Sequence, residues 1–384
     1  MTTLTQLIEY YCPDGVEYAR LGDVASNLDR LRKPVTAKDR IPGPYPYYGA
    51  NGIQDWVDDY LFEGDFVLLG EDGSVIHEDG TPFVHWAAGK IWVNNHAHIL
   101  TVLDAQLSLR FLFHALKNTD VSNFVTGGTQ LKINQKNLNR IPIPLPPREV
   151  QDAIVERLDA FAALIESLDS EIALREKRFE YFREQLLTFN ESDDVEYVKL
   201  GDVADSVKSG ATPKARTAEY YENGSIPWLR TNEVKFNIIT STEMMVTEKA
   251  LAETPIKWIE APSVVVAISG ATAGRSAIIA TPVTTNQHCC CLHFDEAKAN
   301  YRFVFNSLAL RYEELKSLGR GARGDLNAEI IKNFQIPLPS LEAQQDIVDK
   351  LDIMQALIDN LKQERELRRT QFEYYREKLL TFNS

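Results

Sequence analysis

The segment FEYFREQLLTFN, Phe179 to Asn190, returns 193 residues later as FEYYREKLLTFN, Phe372 to Asn383, with ten of twelve positions identical. A second repeat frames it: VEYARLGDVA (Val16 to Ala25) recurs as VEYVKLGDVA (Val195 to Ala204) at an offset of 179. A chain written this way must fold the same plan twice, each time as an opening motif, a unique block and a long repeat.

Each long repeat carries a helical stripe. Alternate steps of four and three from Ile154 reach apolar side chains as far as Phe189, interrupted only by Arg175. The same register from Ile347 to Phe382 is interrupted by Arg365 and Arg368, and neither stripe contains an interior proline or glycine. A sustained 3.5-residue repeat is a coiled-coil seam, and about 40 residues of it make a helix roughly 60 Å long. The nearest partner for each such helix is the other, running antiparallel.

Each unique block reads as mixed strand and helix. DFVLLG, KIWVNNHAHILTV, SVVVAIS and RSAIIA look like strands, while SLRFLFHALKN and YRFVFNSLALRYEELKSL look like single late helices. The proline runs IPIPLPP and IPLPS stop each block and launch the long helix. The expected fold is therefore α+β: two globular mixed domains separated by two long antiparallel coiled-coil helices, with a pseudo-two-fold internal repeat. The boundaries are 1–145 for the first domain with its opening segment, 146–191 for the first helix, 192–338 for the second domain and 339–384 for the second helix.

The net charge of −14 argues against a nucleic-acid partner only until it is located. Residues 26–139 carry −3, residues 205–333 carry +1, and the repeated segments hold the remaining −12. Either block can present a basic face. The sequence has no eighteen-residue apolar window and no basic-then-apolar leader, so a soluble cytoplasmic protein is expected. The run Cys289, Cys290 and Cys291 has no metal-ligand spacing and reads as an interior strand in a reducing compartment.

Catalytic signatures are decoys. GRGARG (Gly319 to Gly324) follows a helix where a dinucleotide fingerprint follows a strand, and it reads as a glycine loop carrying Arg320 and Arg323. GATAGRS (Gly270 to Ser276) is one residue short of a phosphate loop, with Arg275 in the lysine position. The seven histidines, including those of NNHAHI and NQHCCC, show no helical metal spacing and read as core or hydrogen-bonded groups. No catalytic residue and no metal site is assigned.

Arg, Lys, Asn and Gln beside glycines recur in both blocks, which is the chemistry of base and phosphate contact. The DNA-facing candidates of the first block are Arg30, Arg32, Lys33, Asn51, Asn94, Asn95, Gln130 and Lys132. Those of the second are Lys214, Arg230, Asn232, Arg275, Asn286, Gln287, Arg320 and Arg323. The identity of the helix ends beyond the seam has two explanations: recent duplication, or one partner docking twice through Tyr181 and Leu187 and again through Tyr374 and Leu380.

The layout resembles the DNA-specificity subunit of type I restriction-modification systems. The resemblance rests on LGDVA at each block's start, YYGANG and NNHA in the first block, and IPWLRTNEV, GATAGRSAI and TNQ in the second. IPLP then leads into a long helix ending YYREKLLTF. The family often has an acidic residue before the Gln that follows the prolines; here Gln151 and Gln344 remain, behind Val150 and Ala343. Membership implies a non-catalytic subunit whose blocks are target recognition domains, each reading half of a bipartite DNA site. It further implies helices that set the gap and carry two methyltransferase subunits, which use S-adenosylmethionine to methylate adenine at N6. A restriction-translocase subunit working with ATP and Mg completes the complex. A stand-alone DNA-binding regulator would need no repeated helix ends, and a coiled-coil adaptor would need no loops rich in Arg, Asn and Gln.

Overall fold

In the computed structural model, which describes residues 4–190, 193–320 and 324–382, the chain divides into two units. One comprises the residues up to 170 together with those from 363 onward, and the other comprises Glu171–Lys362. Two 40-residue helices, Arg148–Leu187 and Leu341–Leu380, contribute in part to each unit.

The sheet of the first unit has six strands in the order Ala25–Asn27, Ala97–Val102, Phe62–Gly70, Val84–Val93, Pro42–Gly49, Gly52–Val57. All neighbours are antiparallel except Pro42–Gly49 and Val84–Val93. The helix Leu109–Leu116 covers the sheet and buries Phe111, Leu112 and Leu116 beside Val67, Leu69 and Leu100. Ile154 and Leu158 of the first long helix extend the same core, joined by Phe372, Tyr375, Leu379 and Leu380 of the second.

The second unit repeats the scheme in two sheets. Ser206–Lys208, Cys289–His293, Ser263–Ala267, Ser276–Ile279 and Ile238–Ile239 form one, and Met245–Val246, Ile226–Leu229, Val283–Thr285 and Trp258–Ile259 form the other. Cys289–His293 is the interior strand expected, and burial pushes the thiols of Cys289 and Cys290 up to about 12, so both are inert.

Two expected elements are divided. KIWVNNHAHILTV is not one strand: it ends at Val93 and resumes at Ala97 after a tight turn. The second block's late helix breaks at Arg311 into Tyr301–Leu310 and Tyr312–Ser317.

The repeated motifs have the same physical cause in each unit. Tyr18–Arg20 pairs antiparallel with Pro142–Pro144, and Glu196–Lys199 with Gln335–Leu338, so the proline run forms a short ladder with the opening motif. The glycine of LGDVA lies at a close crossing: a Cβ on Gly22 would come within 2.8 Å of Asn139 Cβ, and one on Gly201 within 2.8 Å of Lys332 Cβ. Only glycine fits there without moving backbone.

Within each unit the long helices pack antiparallel. In the first, Phe161 stacks on Tyr375 with centroids 5.5 Å apart, and Arg365 reaches Asp169 at 3.1 Å. In the second, Lys362 meets Glu176 at 2.7 Å, while Leu187 packs against Ile347 and Leu351. The stripe's interruptions are thus placed ions: Arg365 pairs across to the other helix, Arg175 pairs with Glu171 at 2.6 Å and Arg368 with Glu364 at 2.7 Å. Among the described residues, no helix is long and apolar enough to cross a membrane.

Candidate nucleic-acid interface

The turn dividing KIWVNNHAHILTV organises the candidate face of the first unit. Asn94 is buried, donates its backbone N–H to the Tyr48 carbonyl at 3.0 Å, and accepts the His96 N–H on Oδ1 at 2.8 Å. Its Nδ2 donates to Gln54 Oε1 at 3.1 Å. Asn94 therefore builds the turn and has no free edge with which to read a base, which corrects its expected role. Asn95 and His96 are carried outward by it.

Two further segments are tied to this turn. The Glu71 N–H donates to the His96 carbonyl at 2.8 Å, and the Ile133 N–H donates to the Glu71 carbonyl at 2.9 Å. Asp72–Gly73 pairs with Leu131–Lys132, and Asn51 Nδ2 donates to Ser74 Oγ at 3.1 Å. Asn51, Asn95, Gln130 and Lys132 are brought together, all exposed.

Arg32 is a second correction. Its Nη1 lies 2.7 Å from Glu71 Oε2 and 2.7 Å from the Ala97 carbonyl, and its Nε donates to the Asp29 carbonyl at 3.1 Å. A guanidinium this engaged fixes the 29–33 segment to the sheet edge and leaves Arg30 and Lys33 exposed. Beneath it, buried His98 has Nδ1 2.5 Å from Asp29 Oδ2 and Nε2 2.7 Å from the Ile133 carbonyl. Burial opposes ionisation of Asp29, but the hydrogen bonds from His98 and from the Ile99 N–H outweigh it and hold the carboxyl below the usual range. Asp29, Glu71 and His98 converge within 4.8 Å, the spacing of a metal site. Arg32 and Lys132 already neutralise Glu71, and both ring nitrogens of His98 are engaged, so the cluster is a charge-balanced tie.

The second unit reproduces this wiring. Asn286, also buried, donates its N–H to the Leu229 carbonyl at 3.1 Å and accepts the His288 N–H on Oδ1 at 3.0 Å, so it too builds the turn. The Ile268 N–H donates to the His288 carbonyl at 2.9 Å and the Leu326 N–H to the Ile268 carbonyl at 2.8 Å. Around this frame lie exposed Gln287, Lys214, Asn232 and Arg320, with half-buried Arg230 and Arg275. Arg230 Nη2 and Asn232 Nδ2 share Glu243 Oε2 at 3.0 and 3.1 Å, and Arg320 bridges to Asp325, whose Oδ1 accepts the Gly270 N–H at 3.1 Å. Arg323 lies outside the described residues.

The two helix-end leucines also require correction as partner-binding residues. Leu187 and Leu380 are buried in the cores of their units, whereas Tyr181 and Tyr374 stand 58% and 56% exposed. Six residues along a helix turn the side chain about 120° away, so a tyrosine and its leucine cannot share a docking face. His96 and His288, expected to be core or hydrogen-bonded groups, are exposed beside Asp72, Thr212 and Gln287, and the signal that marks them is an Asn-x-His triplet repeated at an offset of 192.

A family profile described as the type I restriction modification DNA specificity domain matches residues 13–174 and again 192–368. A putative type I restriction enzyme specificity subunit of Haemophilus influenzae is 34% identical over 385 residues, covering 96% of each chain. The EcoR124I/EcoR124II specificity subunit of Escherichia coli is 30% identical over 295 residues, covering 73% of this chain and 72% of that one. In fold, the chain is similar to the S subunit of a type I restriction-modification system from M. genitalium, with a TM-score of 0.65 at 17% identity over 95% of this chain and 96% of that one.

Proposed function

This chain belongs to the family of type I restriction-modification DNA specificity subunits, and on that premise we propose that its two globular units read the two halves of a split DNA site while its long helices set the gap and carry two methyltransferase subunits. The chain is the DNA sequence-recognition component and is not itself catalytic. The observation that carries the two-reader proposal is the duplicated frame, in which a buried asparagine, a turn and two cross-linked loops hold exposed amide and cationic side chains on each unit.

Chemistry is left to the partners. Each methyltransferase supplies S-adenosylmethionine and methylates an adenine at N6 in its half-site, and the restriction subunit supplies ATP and Mg. An adenine reacts only out of the stack, so this chain's part is to hold and deform the duplex while a partner captures the base.

Insertion of four residues after Leu168 and four after Leu361 tests the spacer role. About 6 Å is added to each helix, close to two base-pair steps. Methylation sequencing in cells expressing the complex is expected to show the same half-sites with a longer gap. An unchanged gap means the helices do not measure it.

A further inference from the structure

Each unit presents an exposed histidine whose backbone N–H is held by the side chain of a buried asparagine two residues before it. The N–H of His96 is held by Asn94 Oδ1 and its carbonyl by the Glu71 N–H; the N–H of His288 is held by Asn286 Oδ1 and its carbonyl by the Ile268 N–H. The anchoring asparagines are themselves buried and bonded to the neighbouring strand. A side chain on so constrained a tip loses little freedom when it binds. Other histidines are differently placed: His98 and His114 are buried, His85 Nε2 lies 3.1 Å from the Ala50 carbonyl and His293 Nδ1 3.0 Å from the Pro262 carbonyl. Exposed His77 is held by the Thr81 carbonyl and not by an asparagine side chain, with its ring packed on Phe83 at 3.9 Å between centroids.

The ring partners fix which atom each histidine offers. His96 Nδ1 faces the Asp72 carboxylate, which only accepts, so in the neutral ring the proton sits on Nδ1 and Nε2 keeps a lone pair. His288 Nε2 lies 3.2 Å from Gln287 Nε2. The Gln287 Oε1 accepts from Thr212 Oγ1 at 2.5 Å, which turns the amide NH2 toward the imidazole. His288 Nε2 therefore accepts, and its free ring atom is the Nδ1–H donor.

We propose that His96 and His288 are base-reading residues of opposite polarity. His96 accepts from the exocyclic amino group of an adenine or cytosine in one half-site, and His288 donates to an acceptor on a guanine, adenine or thymine edge in the other. Asp72 and Gln287 are positioning residues that set the ring tautomers. The assignment rests on the half-site reading above and adds to it the identity and hydrogen-bond sense of one reader in each half.

The test uses the assembled methyltransferase, with its motif first established by methylation sequencing. Binding is then measured to duplexes carrying one altered base at a time. Purine for adenine, or 2-pyrimidinone for cytosine, removes the amino group; 7-deazaguanine or 7-deazaadenine removes N7, and 4-thiothymine weakens the O4 acceptor. One amino-group deletion in the first half-site is expected to weaken wild-type binding about tenfold and to have no further effect in H96A. H96Q, which retains an acceptor oxygen, is expected to keep part of that sensitivity. One acceptor change in the second half-site is expected to behave in the same way with H288A. The proposal is overturned if H96A and H288A keep the wild-type response at every position. It is also overturned if they weaken all duplexes equally with a shallower salt dependence, the signature of phosphate contacts. A wild-type complex indifferent to every base of one half-site overturns the half-site reading, and this assignment with it.

Discussion

Gln151 and Gln344 make the same pair of hydrogen bonds at equivalent points of the two units. Gln151 Oε1 accepts from the Ser108 N–H and Nε2 donates to the Pro146 carbonyl, each at 2.8 Å; Gln344 does this with the Asn300 N–H and the Pro339 carbonyl, also at 2.8 Å. Each side chain is fully buried and locks the start of a long helix to the late helix of its block. Replacing either by alanine orphans buried backbone groups, at a cost of about 1–3 kcal/mol. Urea unfolding of Q151A and Q344A, with hydrogen exchange resolved by peptide, is expected to show each loss confined to its own unit.

Arg32 and Lys33 are neighbours in sequence with opposite fates. R32A leaves Glu71 with less countercharge and the Ala97 carbonyl with one partner fewer, and is expected to destabilise the first unit by about 3 kcal/mol. K33A is expected to leave stability alone, weaken DNA binding equally for all sequences and lower the salt slope by about one. Denaturation curves and salt titrations of DNA binding separate the two.

The first unit is expected to lose more stability in acid than the second. Burial lowers the affinity of His85 and His114 for a proton; the Ala50 carbonyl and Asp159 respectively oppose this without reversing it. With the folded values depressed, the unfolded chain takes up protons more readily, so stability present above about pH 6.5 is lost as pH falls. Pulse proteolysis in urea is expected to give a lower midpoint for the first unit at pH 5.5 than at 7.5, and H114N is expected to reduce the difference. Equal midpoints at both pH values would remove this account.

Much of this architecture was legible because its causes are local. Helical stripes and proline stops follow from spacing within short segments, and the LGDVA glycines stood out by repetition, although their cause, the crossing at Asn139 and Lys332, is distant. What the sequence hid depends on distant partners. Arg32 reads as a free cation until Glu71, 39 residues on, is folded against it. The turn at Asn94 carries no glycine or proline; a side-chain acceptor makes it, so the apolar alternation on either side reads as one strand. Leu187 and Leu380 were grouped with their tyrosines by identity across the repeat, although their helical faces differ.

Tyr181 and Tyr374 remain the candidates for docking at the helix ends. Y181R and Y374R are each expected to yield a complex with one methyltransferase copy by native mass spectrometry, with the chain still folded. L187D is expected instead to open the core around Phe303 and Ile347, seen as rapid proteolysis of the second unit. Retention of two copies in both tyrosine variants would place the partner elsewhere.

Independence of the two readers is the central claim, and single-molecule methylation sequencing of cells expressing the complex with K214A, R275A or R320A tests it most directly. The account predicts relaxed or altered preference in one half of the motif only, with the other half unchanged. Equal disturbance of both halves, or an unaltered motif in all three variants, would contradict it.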